Sequence, residues 1–116
     1  MTQQTADVII IGGGITGTSA AYQLALRGQR VILLEKRHIA AGGTGRTGGI
    51  IRQHYSNETT VRMAFHSLKV WRDFDAIVGG DPGWKQTGAL FIVDHRDLDG
   101  LKANIALQKR VGVNVD

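Results

Sequence analysis

A run of branched apolar residues, Val8 to Ile11, opens directly into Gly12-x-Gly14-x-x-Gly17, and no other feature restricts the fold of this chain as tightly. The run predicts a strand buried on both faces. From Ile15 to Arg27 the pattern turns helical, with Ala20, Ala21, Leu24 and Ala25 at three- and four-residue spacing. Gly28 is placed to end that helix in a left-handed turn. A second aliphatic run, Val31 to Leu34, predicts the next strand and closes on Glu35. The order is strand, glycine turn, helix, strand, acid, which predicts an α/β, Rossmann-like βαβ unit.

Each part has a physical task if such a unit binds a dinucleotide. Gly12 permits the tight turn, Gly14 lets a pyrophosphate approach the backbone, and Gly17 lets the helix pack closely on the sheet. The free amides and positive dipole end of the helix then face the phosphates. Glu35, eighteen positions after Gly17, stands where a carboxylate accepts hydrogen bonds from the adenosine ribose. This unit alone fits FAD and NAD equally.

With 116 residues, 42% of them apolar and 21% charged, the chain is long enough for one globular core. The net charge of +4 is scattered rather than blocked, which argues against a dedicated nucleic-acid surface. The lack of cysteine excludes disulfides, thiolate metal sites and a cysteine nucleophile. No apolar stretch approaches a membrane span, Met1 to Asp7 lacks the features of a signal peptide, and a cytoplasmic setting is the default expectation.

After Glu35 come Lys36, Arg37 and His38. Arg37 suits either adenine stacking or a solvated turn, whereas His38 reads as a solvated turn. Residues 42–49 carry five glycines in eight positions, too many for the interior of a helix or strand. Such a loop can bring amides close to a ligand, and Thr44 and Thr47 add hydroxyls. It lacks the Gly-Lys-Ser/Thr of a P-loop.

The glycine turn with Glu35, followed by Thr44-Gly-Arg46-Thr47-Gly48-Gly49-Ile50-Ile51-Arg52-Gln53-His54-Tyr55, resembles the flavin-dependent amine oxidoreductases of the D-amino-acid oxidase superfamily. The likeness is greatest to sarcosine oxidases and dimethylglycine-type dehydrogenases. It continues through Leu68-Lys-Val-Trp71 and Gln86-Thr-Gly88-Ala-Leu. The resemblance implies an FAD/NAD(P)-binding Rossmann-like fold, with FAD as cofactor and a small amine or amino acid as substrate. Gly12, Gly14, Ile15, Thr16 and Gly17 are then expected at the pyrophosphate and Glu35 at the ribose. Lys36 or Arg37 falls at the adenine end, and Thr44, Gly45, Arg46, Thr47, Gly48, Gly49 and Ile50 wrap the ribityl chain toward the flavin ring, with Gly43 also at the cofactor. It places Arg52 at the substrate carboxylate. Some monomeric relatives carry arginine where this chain has Gly49, and no histidine or cysteine stands where FAD could be covalently attached, so non-covalent FAD is expected.

Arg52 can be read in two ways from the residues alone. Its planar fork suits a carboxylate, and it also suits a surface position or an internal ion pair. His54 and Tyr55 read as structural hydrogen-bonding residues. Residues 57–78 have helical period, capped at Ser56 or Asn57, with Val61, Ala64, Phe65, Leu68, Trp71, Phe74 and Val78 as a core stripe and His66 outside it. Residues 79–83, with three glycines and a proline, predict a turn, Ala89 to Val93 a strand, and Asp97 to Arg110 a helix with Leu98, Leu101, Ile105 and Gln108 on one face. Gly112 is placed as its stop.

These boundaries divide the chain into an FAD-binding portion, 1–80, and the beginning of a substrate domain, 81–116. The later strands and substrate cavity of the superfamily do not appear, so the sequence reads as an amino-terminal piece. Its uncovered apolar faces are expected to meet the remainder of the chain or another copy. No metal site and no catalytic base are expected here.

Overall fold

The computed structural model describes residues 5–116, so residues 1–4 of the expected polar lead-in lie outside the description. The chain forms two compact units, Met1–Ile50 and Ile51–Asp116.

In the first unit, strand β1 (Val8–Ile11) is followed by helix α1 (Ile15–Ala25) and strand β2 (Val31–Leu34). The strands pair in parallel, from Val8 opposite Val31 to Ile11 opposite Leu34. Asp7 braces the start of this register. Its carboxylate accepts from the Arg30 amide at 2.8 Å and from the Arg30 guanidinium at 2.8 Å. The helix ends two residues before the expected Arg27, and Gly28 turns the chain with φ of +77°.

The expectation that β1 is buried on both faces is not met. Its residues alternate between half-buried and exposed, with Ile9 at 61% and Ile11 at 87% exposure. A two-stranded sheet with one helix covers one face only. Ile10 faces that helix, its Cγ2 lying 3.3 Å from where a Cβ on Gly17 would stand.

The second unit packs helix α2 (Glu58–Arg72) against helix α4 (Leu98–Val111). Asn57 caps α2 by accepting from the Thr60 amide at 3.2 Å, and Glu58 pairs with Arg62 one turn on. The stripe on α2 buries Val61 and Leu68 completely or nearly so, and His66 is exposed, as its place off the stripe predicts. One continuous helix over 57–78 is not formed. Asp73, at φ −110° and ψ 32°, breaks it, and the short helix α3 (Phe74–Ile77) follows. Val78 is consequently exposed rather than in the stripe.

The turn after α3 places Gly79, Gly80 and Gly83 at positive φ. The strand expected at Ala89 to Val93 is absent. Those residues belong to neither helix nor strand, and Leu90 and Ile92 are more than four-fifths exposed. A strand needs a neighbour for its amides and carbonyls, and no strand of the second unit provides one.

Helix α4 starts one residue later than expected, after a 3-10 turn over His95–Asp97. Of its expected inner face, Gln108 is buried and Leu98 is 42% exposed. Gly112 ends it at φ +100°, and the Val113 amide donates back to the Gln108 carbonyl at 3.0 Å while the Val113 side chain is buried. Among the described residues no helix is long and apolar enough to cross a membrane.

Candidate functional site

The site of interest in the first unit is the turn between β1 and α1. Gly12 adopts φ +107°, a conformation open to glycine and costly for other residues, and its amide donates to the Leu34 carbonyl at 2.8 Å. That bond aligns the turn with the end of β2. Gly17 then lies so close to the Gly12 carbonyl that a side-chain Cβ has no room. Gly14 caps the helix with extended backbone and offers no capping side chain of its own.

The capping function comes from elsewhere. The Thr44 hydroxyl accepts from the Ile15 amide at 2.9 Å, and a Cβ on Gly14 would approach it to 3.0 Å. The amides of Thr16 and Gly17 belong to the first turn, where no acceptor exists within the helix.

Glu35 stands at the same turn. Its Oε2 accepts from the Gly13 amide at 2.8 Å and its Oε1 from the Arg37 amide at 2.9 Å. These bonds favour the ionised form. The Gly13 amide first, and then the Arg37 amide, hold its carboxyl below the ordinary value of 4.5. Each carboxylate oxygen keeps a lone pair for a further donor. The acid thus spans the turn and the second strand, while its remaining acceptor capacity suits ribose hydroxyls.

The following loop folds back on this turn. The Ala40 amide donates to the Gly13 carbonyl at 2.8 Å, and the Gly45 amide to the Ala40 carbonyl at 2.9 Å. Gly45 also lies too close to that carbonyl for a Cβ to fit. The Arg37 guanidinium donates to the Ala41 carbonyl at 2.9 Å, which makes it a loop brace. A single 3-10 turn spans Thr44–Arg46, the Thr47 hydroxyl accepts from the Gly49 amide at 3.3 Å, and Gly49 has φ +66°. Thr16, Lys36, Gly43, Arg46, Thr47, Gly48, Gly49 and Ile50 are exposed.

Ala40 is the one described non-glycine residue at positive φ, +63°. A left-handed L-residue costs about 1–2 kcal/mol, partly offset for glycine by the greater freedom of the unfolded chain. Ala40→Gly is therefore expected to be neutral or to stabilise by up to about 1 kcal/mol, whereas Ala40→Val destabilises, as equilibrium denaturation would read. Equal losses for both variants would show that the alanine is not strained.

In the second unit, the exposed Arg52 guanidinium carbon sits 5.1 Å from the centre of the Tyr55 ring. His54 stacks on Phe91 and meets the Gln108 amide. Sequence reasoning read His54 as a structural hydrogen-bonding residue, as its contact with Gln108 bears out, and missed Gly13, Ala40 and the identity of the His54 partners. Alanine carries no mark of a left-handed position, and a pairing across 54 residues leaves no local periodicity. Among the described residues no cluster of histidine and acidic side chains could hold a metal ion.

Amides without helical acceptors, a glycine at the cap and an acid reaching the same turn match the adenosine diphosphate half of a dinucleotide. The residues present fit FAD.

Comparison with known proteins agrees. The chain is similar in fold to part of L-proline dehydrogenase from P. horikoshii, with TM-score 0.85 and 37% identity, covering 96% of this chain and 29% of that one. Human sarcosine dehydrogenase, a mitochondrial protein, is 36% identical over 112 residues, which is 94% of this chain and 12% of the relative. Rat dimethylglycine dehydrogenase, also mitochondrial, is 34% identical over 86 residues, 73% of this chain and 10% of the relative. The chain thus spans only about an eighth of the length of the human enzyme it matches. The family description "DAO: FAD dependent oxidoreductase" matches residues 7–116. The glycine turn, its acid and the looped-back Thr44 all lie within the matched residues, and the chain belongs to the DAO family.

Proposed function

We propose that this chain forms the FAD-binding part, residues 1–80, and the start of the substrate domain, residues 81–116, of an enzyme that oxidises secondary or tertiary amines or amino acids of the sarcosine or glycine type. The observation that carries the cofactor half is the convergence of the Gly13 amide, the Glu35 carboxylate and the Thr44 hydroxyl on one helix start. The kinship to sarcosine, dimethylglycine and proline dehydrogenases supports an amino-acid substrate.

In this reading the α1 amides hold the pyrophosphate, Glu35 the ribose, Lys36 or Arg37 the adenine end, and the loop from Thr44 to Ile50 the ribityl chain. FAD is held non-covalently and, when bound, supplies the acceptor for two electrons. Arg52 holds the substrate carboxylate by paired charge-assisted bonds, so that a C–H beside the nitrogen is presented for oxidation. The amine loses a hydride equivalent from that carbon, and water hydrolyses the resulting imine. The protein's contribution is orientation and electrostatics.

In the full-length protein, Arg52→Ala is expected to raise the KM for a carboxylate-bearing amine by an amount worth about 1.5–3 kcal/mol, the usual strength of hydrogen bonds to charged groups. Steady-state kinetics read it directly. If KM holds and only thermal stability falls, Arg52 is a structural cation. The purified protein is also expected to show the two visible absorption bands of flavin, released by denaturation without proteolysis. Flavin that stays with the denatured chain would overturn non-covalent binding.

A further inference from the structure

We infer that His54 is a positioning residue, clamped between Gln108 and Phe91, that holds Arg52 in place for carboxylate capture. The inference rests on the reading of Arg52 given above. Residues 51–55 belong to no helix or strand, so no backbone ladder fixes the segment that carries the arginine. Its attachment must come from side chains.

His54 is tied on two sides. Its ring stacks on Phe91 with centroids 4.0 Å apart and planes inclined by 23°. Its Nδ1 lies 3.1 Å from Gln108 Nε2, and with the amide nitrogen donating, the ring accepts at Nδ1 and carries its hydrogen on Nε2.

Gln108 is an unusual anchor. At 1% exposure it is the most deeply buried polar side chain described, on a helix face where an aliphatic residue would otherwise serve. A buried amide is retained at a cost unless it is hydrogen-bonded, and His54 supplies the partner. Helix α4 thus reaches the irregular segment through the Gln108–His54 hydrogen bond, two residues from Arg52 and one from Tyr55, over whose ring the guanidinium lies. Loss of the His54 clamp frees the segment and, with it, the direction of the arginine fork. Bidentate binding of a planar carboxylate depends on that direction, whereas binding of an uncharged group does not.

The experiment uses the full-length protein with an N-methyl amino acid and the corresponding amine without its carboxylate. His54→Ala is expected to raise KM for the amino acid by roughly tenfold, with little change in kcat, and to leave KM for the plain amine unaltered. His54→Gln, which can still accept from Gln108, should recover most of the loss. Gln108→Leu should repeat His54→Ala, and the double variant should add little, because the two side chains act through one contact.

Equal effects on both substrates, or no effect on the amino acid, would overturn the positioning role. Arg52→Ala separates the two ideas. If it leaves the amino-acid KM unchanged, the carboxylate reading itself fails; if it raises KM while His54→Ala does not, only the clamp fails. Should His54→Ala not fold, acetate titrated into the unaltered protein with ring-labelled histidine is the readout. A saturable shift of the His54 resonances, lost in Arg52→Ala, supports the coupling, and its absence rejects it.

Discussion

Gly17→Ala is expected to destroy both the packing of α1 on β1 and the retention of FAD. A methyl group at this position would overlap the Gly12 carbonyl, which is backbone and cannot rotate away. Helix and strand would have to separate, and overpacking of this kind costs about 3 kcal/mol at its upper range. In the proposed function the same displacement would carry the α1 amides away from the cofactor's phosphates, so flavin content should fall with stability.

Gly42→Ala is the matched control. Its added Cβ would meet nothing within 4 Å, so it should keep flavin and lose little in a thermal melt. A Gly17→Ala protein with normal flavin content and an unshifted melting temperature would show that the helix does not approach the turn as described.

Glu35→Ala carries the second large effect. One carboxylate braces the Gly13 and Arg37 amides, and in the proposed function its spare lone pairs face the ribose. Removal leaves the turn without its brace and, in the proposed function, the ribose without its acceptor, and FAD affinity should fall by roughly 10–100-fold, the loss of one hydrogen bond to a charged group. Flavin release followed by ultrafiltration measures it, and an unchanged dissociation constant would remove the ribose assignment.

The pH dependence follows from the same bonds. The folded pKa lies below the ordinary 4.5, so the stabilisation is fully present above that value and is lost as pH falls below it through the folded pKa. Glu35→Gln keeps the shape, does not titrate, and should flatten this acid loss of stability and flavin. An identical acid profile in wild type and Glu35→Gln would assign the loss to other carboxylates, among them Asp7, which Arg30 holds below its usual range.

What the residues by themselves determined is local. β-branched runs at Val8 and Val31, glycines at 12 and 28, a cap at Ser56 or Asn57, which the structure gives to Asn57, and the Gly112 stop each act within a few neighbours. The resemblance carried by Gly12 to Glu35 and by the 44–55 loop pointed to the DAO family, to which the chain belongs.

Burial and strand pairing were not legible, because they depend on what lies opposite. Ile9 and Ile11 read as buried and are exposed, since one helix covers one face of two strands. Ala89 to Val93 has strand composition and no strand partner among the described residues. Tertiary structure alone decided that Thr44 caps α1 across 29 positions, that Glu35 binds Gly13 across 22, and that Gln108 meets His54 across 54. Hydrogen bonds of that reach are set by how the elements pack, and no window of sequence contains both of their ends.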